Sequence, residues 1–280
     1  PPPFFLQAHA GIRDAQESRG LGDVYKRQAE LVNLGRIRNA GLNIAVDSMH
    51  GAGSKYFTKL MDGGTSKVVE IRSDHDPNFP NMIQPEPIEK NLVPLKDFMV
   101  NSNYDVGLAT DGDADRLGLI DEDGNYISTL HAFSLICKHL LENLKMKGPI
   151  IKSLTMTNAI NKLGTLHEIE VIDTPVGFKY LGPVMMEENA IAAGEESGGY
   201  GFTDHIPERD GILSGLMILE LMAITQLNPS DLIEELENLV GTYHYDRRDI
   251  EFNEEDREEK LLRITAVSYT HLTLPTILLV

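Results

Sequence analysis

The chain has 280 residues, enough for one large domain or two of ordinary size. An apolar fraction of 41% with 6% aromatic residues describes a globular chain, and a formal charge of −18 argues against nucleic acid, whose phosphates need a basic face. The same charge opposes long-range attraction of an anionic substrate, so a phosphate site must rest on local devices: a metal ion, a few Lys or Arg residues, or backbone amides.

Residues 1–29 read as extraneous or disordered, because 20–28 (GLGDVYKRQ) lacks both helical periodicity and strand alternation. The tail 267–280 (VSYTHLTLPTILLV) reads the same way. Both resemble translated sequencing-adapter sequence and are left out of the fold reading. Residues 42–47 (LNIAVD) form an apolar run ending in an acid, followed by HGAG at 50–53. A helix over 56–62 and a strand over 66–71 complete a strand–turn–helix–strand unit, the building block of a parallel sheet. Segment 77–87 holds four prolines and is a loop. A helix over 91–101 leads to a strand at 104–109 and directly into the acidic stretch DGDADR at 111–116. Strands 117–120 and 125–127 flank the turn DEDG in a hairpin pattern, and a helix over 130–144 ends at Gly148-Pro149. A second series follows: strand 150–152, helix 158–163, strand 170–173, helix 180–188, strand 190–193, and helices 211–226 and 230–240. This order predicts an α/β fold of two tandem three-layer α/β domains with mixed, mostly parallel sheets. They would span 30–147 and 148–265, with an extraneous tail from 266.

One cysteine, Cys137, excludes an internal disulfide and suits a reducing compartment. Its apolar surroundings make it a buried structural thiol. No apolar stretch reaches the roughly 18 residues of a membrane span, and PPPFFLQAHA at the start lacks the features of a signal peptide. The expectation is a cytoplasmic protein with no membrane partner.

In DGDADR the acids alternate, so a tight turn can bring Asp111, Asp113 and Asp115 to one point. Their mutual repulsion raises their pKa values unless a cation intervenes, and an all-carboxylate set suits Mg²⁺ or Ca²⁺. A calcium EF-hand would place Glu122 at position 12, but position 6 would be Arg116 where glycine is required, and the flanks read as strands. A guanidinium beside the acids fits a metal that shares its site with phosphate. A merely solvated acidic turn is the bland alternative.

DGDADR after a strand resembles the metal loop of the α-D-phosphohexomutases, the family of phosphoglucomutase and phosphomannomutase. IAVDSMHGAG at 44–53, TPVGFKYLG at 174–182, GEESGG at 194–199 and HIPERDGI at 205–212 resemble further stretches of that family, in its order. The resemblance covers the family's domains 2 and 3. It implies Mg²⁺ held by Asp111, Asp113 and Asp115 against a phosphoserine, with Arg116 on the same phosphate. It implies a hexose phosphate as substrate, with Glu195 and Ser197 on sugar hydroxyls and Gly177 allowing close backbone approach. Arg209 matches a position where relatives can carry lysine; it can stabilise charge but is a poor general acid or base. Lys179 is either a ligand contact or a surface salt-bridge partner, and His50 and His205 read as structural.

The family's phosphoserine belongs to a Ser-His-Asn-Pro type loop of its first domain, and this chain contains no Ser-His pair. Nor does it show the fourth domain's phosphate-gripping loop; 250–263 reads as the end of domain 3. The chain is therefore expected to be a central fragment of a mutase, weak in metal binding, inactive alone, and partnered by domains 1 and 4 of its own parent. GEESGG leans towards glucose over amino sugars, with mannose open. The competing functions are a non-catalytic sugar-phosphate or metal-binding protein and an unrelated magnesium phosphatase with Asp111 as nucleophile.

Overall fold

The computed structural model describes residues 21–100, 102–245, 258–260 and 262–263. By its contacts the chain divides into a unit ending at Tyr243 and a second starting at His244. The described part of the second is 244–245 with the helical residues 258–260 and 262–263, so most of the expected end of domain 3 and all of the tail lie outside the described residues.

The first unit holds two sheets. Strands β1 (Asn43–Asp47), β2 (Lys67–Ile71), β3 (Val106–Thr110), β4 (Leu117–Ile120) and β5 (Tyr126–Ile127) lie in the order β2-β1-β3-β4-β5. β1 runs parallel to both β2 and β3, and the β3–β4 and β4–β5 pairs are antiparallel. In the second sheet β6 (Ile150–Ser153), β7 (Val171–Thr174), β8 (Ala192–Gly194) and β9 (Tyr200–Phe202) take the order β7-β6-β8-β9. β6 is parallel to β7 and β8, and β9 returns antiparallel. The first four strands of one sheet thus repeat the topology of the other. Every residue of β3, β4 and β6 is buried, as expected when helices cover both faces of a sheet.

The helices are α1 (Leu21–Leu31), α2 (Leu34–Arg38), α3 (Tyr56–Met61), α4 (Val93–Val100), α5 (Thr129–Lys138), α6 (Ala159–His167), α7 (Phe178–Glu187), α8 (Gly211–Thr225) and α9 (Pro229–Val240). Their starts are chemically marked. Ser128 accepts from His131 N at the head of α5, and Asp210 from Leu213 N at the head of α8. α9 opens with a capping box between Asn228 and Asp231 and with Pro229 in its first turn.

α8 is apolar on all sides and buried from Gly211 to Ala223. It packs on β3, β4, α2 and α5, so a helix late in the chain completes the core over the first sheet. Its one buried acid, Glu220, lies 3.0 Å from His139 Nε2 and accepts from Asn33 N at 2.6 Å. Among the described residues no single helix is long and apolar enough to cross a membrane; α8 and α9 pass that test only as a pair bent by 85°.

The short helix α2, the helix α1 and the strand β9 depart from the sequence reading. Residues 21–28, set aside for want of periodicity, lie in α1, where Gln28 is buried and donates to Asp210 Oδ2 at 2.6 Å while Arg27 Nε donates to Asp204 O at 2.8 Å. Tertiary contacts hold this helix, which a periodicity test does not register. β9, with Gly201 at its centre, shows no alternation and is defined only by its pairing with β8. Cys137 is buried as expected. His205 is buried against Asp210 Oδ2 at 2.7 Å, and His50 Nδ1 lies 2.8 Å from Asp74 O.

Candidate functional site

In each sheet the first strand is flanked by the second on one side and the third on the other. A crevice therefore opens between the carboxyl ends of the first and third strands, the usual place for a ligand in an open α/β sheet. The sequence DSMHGAG leaves β1 and DGDADR leaves β3 at one such crevice; GEESGG leaves β8 at the other.

The acidic loop is built by its own backbone. Ala114 takes a left-handed φ of 63°, which turns the chain so that Asp111 Oδ1 accepts from Asp115 N at 2.9 Å and Arg116 N at 3.1 Å. Ala52 N, from the loop after β1, holds Gly112 O at 2.9 Å. One carboxylate oxygen from each of Asp111, Asp113 and Asp115 lies within 4.8 Å of the others. Burial, reinforced by the charge of Asp115, pushes the Asp111 carboxyl up to about 8. Burial also raises Asp115, against the pull of Arg209. Asp115 Oδ1 is buried with no hydrogen-bond partner. A buried, orphaned oxygen among hard carboxylate donors is the donor set a small divalent cation takes, so these residues fit Mg²⁺. The expected mutual repulsion is present, but desolvation is its larger partner.

Two arginines join this loop to its surroundings. Arg116 Nε lies 3.3 Å from Asp111 Oδ2 and 3.7 Å from Asp115 Oδ1, while Arg116 Nη1 donates to Glu86 Oε1 at 3.0 Å. Arg209 Nη2 lies 2.5 Å from Asp115 Oδ2, and Arg209 Nη1 donates to Glu195 Oε1 at 2.9 Å. Burial works against the Arg209 charge, but Asp115 and Glu195 outweigh it and hold its pKa above the ordinary arginine value. Ser197 Oγ donates to the same Glu195 oxygen at 2.9 Å. The structure therefore brings Asp111, Asp113, Asp115, Arg116, Arg209, Glu195 and Ser197 into one charged network spanning both sheets.

Backbone bonds close the seam. Leu117 N donates to Gly198 O at 2.9 Å beside an isolated Arg116–Gly199 bridge, and Gly211 N donates to Ala114 O at 3.0 Å. Thr129 Oγ1 donates to Glu196 O at 2.6 Å. Gly199 is glycine for room: a Cβ there would lie 2.1 Å from Arg209 Cδ.

Gly177 and Lys179 take no part in this network of bonds. Gly177 turns the chain into α7 with φ 116°, and exposed Lys179 places Nζ 4.9 Å over the Tyr180 ring. Phe178, between them, packs under Gly201 of β9, which sets the start of α7 beside the second sheet's antiparallel edge. Sequence reasoning missed Glu86, which meets Arg116, and Glu196, whose Oε2 accepts from Ser153 Oγ at 3.3 Å and Thr155 Oγ1 at 2.5 Å. A lone acid in a proline-rich loop carries no local signal of a partner 30 residues away.

Family models for phosphoglucomutase/phosphomannomutase alpha/beta/alpha domain II and domain III match residues 23–124 and 124–239. They meet at 124, whereas the sequence reading put the junction at 147–148. A phosphoglucomutase/phosphomannomutase of Thermococcus kodakarensis is 32% identical over 69% of this chain and 42% of its own. A phosphoglucosamine mutase of Exiguobacterium sibiricum is also 32% identical, over 70% of this chain and 43% of its own. The crystal structure described as a putative phosphomannomutase from Thermus thermophilus superposes with a TM-score of 0.74 at 30% identity, over 78% of this chain and 50% of that one. The chain spans under half the length of these two sequence relatives.

Proposed function

The chain belongs to the phosphoglucomutase/phosphomannomutase family, whose domains II and III it carries, and on that premise we propose that it is the metal- and sugar-binding part of a hexose-phosphate mutase. The observation that carries the proposal is the shared cation: Arg209 spans Asp115 of the acidic loop and Glu195 of the GEESGG loop at 2.5 and 2.9 Å. A phosphoryl group and a sugar hydroxyl have to meet at such a junction during phosphoryl transfer.

In this reading Asp111, Asp113 and Asp115 hold Mg²⁺, which supplies charge neutralisation for a phosphoryl group. Arg116 binds an oxygen of the same phosphate through its fork of N–H donors. Glu195 accepts a hydrogen bond from a sugar hydroxyl, and Ser197, held on Glu195, donates or accepts a second. Arg209 keeps its charge throughout and steadies the anionic oxygens without moving a proton. Gly177 and Lys179 form the outer wall towards the sugar. The 280-residue chain binds a hexose phosphate, glucose first, but does not turn it over, because the Ser-His pair that the resemblance assigns to the phosphoserine loop does not occur among these residues.

The test has two arms. Calorimetry should show Mg²⁺ binding weaker than micromolar that Asp113→Asn and Asp115→Asn abolish, and a coupled assay should detect no glucose 1-phosphate isomerisation by the purified chain. Isomerisation by the chain alone, or Mg²⁺ binding indifferent to both substitutions, refutes the proposal.

A further inference from the structure

The proline-rich segment 77–87, within the stretch matched by the domain II model, carries none of the charged residues assigned to the site, yet it touches the acidic loop twice. Pro85 O accepts from Gly112 N at 3.2 Å, and Glu86 Oε1 accepts from Arg116 Nη1 at 3.0 Å. A Cβ on Gly112 would come within 3.0 Å of Pro85 Cγ and 3.1 Å of Phe79 Cζ, so the segment lies flat against the loop's backbone. We infer that Glu86 is a positioning residue: by accepting from Nη1 it holds the Arg116 guanidinium short of a full hydrogen bond to Asp111 or Asp115, so that the acidic loop keeps room for a cation and the arginine keeps N–H groups for a phosphate.

Competing pulls act on Arg116. Its Nε already lies 3.3 Å from Asp111 and 3.7 Å from Asp115, with no hydrogen bond made to either, and it is a buried donor without a hydrogen-bond partner. Glu86 supplies the one bonded anion on the far side of the guanidinium. Without it the nearest negative charges are the two carboxylates that a cation would need, and a monovalent guanidinium would settle there in its place.

Glu86 is itself well anchored. Prolines on both sides restrict its backbone, and its carbonyl accepts from Asn91 Nδ2 at 2.8 Å and Ile88 N at 2.9 Å. Asn91 O in turn accepts from Arg72 Nη2 at 2.8 Å, and Arg72 Nε donates to fully buried Asp47 at 2.8 Å. A line of charged and amide groups thus runs from the end of β1, under the proline segment, to Arg116. Two prolines and a side-chain-locked carbonyl are more than an incidental surface pair requires.

The inference rests on the metal–phosphate reading of the acidic loop, and its test separates the two. Mn²⁺ stands in for Mg²⁺, with the free ion followed by electron paramagnetic resonance. In parallel, the Arg116 Nε–Hε resonance is assigned with Arg116→Lys and followed in metal-free protein by NMR. Glu86→Ala should weaken Mn²⁺ binding about tenfold, the lower end for loss of a group supporting metal ligands, and should shift the Arg116 resonance. Glu86→Gln, which keeps an acceptor for Nη1, should restore part of both. In the Arg116→Ala background Glu86→Ala should change Mn²⁺ affinity by less than twofold. Unchanged Mn²⁺ affinity and an unchanged Arg116 resonance in Glu86→Ala overturn the inference. A wild type that binds no Mn²⁺ overturns the metal reading, and the Arg116 resonance then decides the positioning of Arg116 by itself.

Discussion

Replacing Gly199 by alanine should cost stability through a residue it does not resemble. Gly199 has no left-handed φ, so a side chain is not excluded by the backbone. It is excluded by Arg209, whose Cδ and Cγ would lie 2.1 and 2.8 Å from the new Cβ. The arginine stem can swing away, but only by releasing Asp115 at 2.5 Å and Glu195 at 2.9 Å. Both carboxylates are largely buried, at 19% and 6% side-chain exposure, so each is left short of its cation. At about 1–3 kcal/mol per charged hydrogen bond, discounted because Arg209 is itself partly exposed, Gly199→Ala should lose about 2–4 kcal/mol. Arg209→Ala should lose a similar amount, and the double variant no more than Arg209→Ala alone. Urea unfolding of all four proteins gives the coupling directly, and it should be close in size to the Gly199→Ala loss and of compensating sign. Losses that add to within about 0.5 kcal/mol would mean that Arg209 keeps its place, and the steric account would fail.

Asp111 provides a pH test. Its folded pKa of about 8 lies above the ordinary carboxylate value, so the folded state holds a proton that the unfolded chain has released. Metal-free stability should therefore fall as pH rises from about 4 to about 8, by at most ~1.4 kcal/mol per pH unit from this group. Asp111→Asn should flatten that slope in urea unfolding series run with a chelator; an identical slope refutes the assignment. In the core, Glu220→Ala leaves His139 Nε2 and Asn33 N without their acceptor and should cost about 2–5 kcal/mol by the same measurement. A loss below about 1 kcal/mol would show that Glu220 is replaceable there.

Much of this was legible because local chemistry repeats along the chain. Short apolar runs mark β1 and β3, a run after the Gly148-Pro149 break marks β6, and apolar content over helical length marks α8 and α9. The acidic loop is equally local in its three alternating aspartates, although the left-handed turn at Ala114 that builds it carried no signal. What stayed hidden depends on distance along the chain. Gln28 anchors α1 through Asp210, 182 residues away. β9 is a strand only because β8 lies beside it. Arg209 finds Asp115, 94 residues earlier, across the seam between the two loops, and the resemblance of HIPERDGI to its family implied a place near the substrate without indicating that it also meets the acidic loop. Glu86 had no signal at all.

The course of α8 carries a consequence for anyone who would take the protein apart. Sequence order invites a cut between the two sheets, and the junction of the family models at 124 invites one too. Either cut assigns α8 to the second piece, although its neighbours Phe57 and Leu108, which crowd Gly215, belong to the first. The first piece would present a bare apolar trough across β3 and β4, and in the second α8 would lose that bed, keeping α5 as a neighbour only if the cut falls at 124. A recombination or complementation scheme should therefore treat residues 211–225 as property of the N-terminal half, however late the ribosome delivers them.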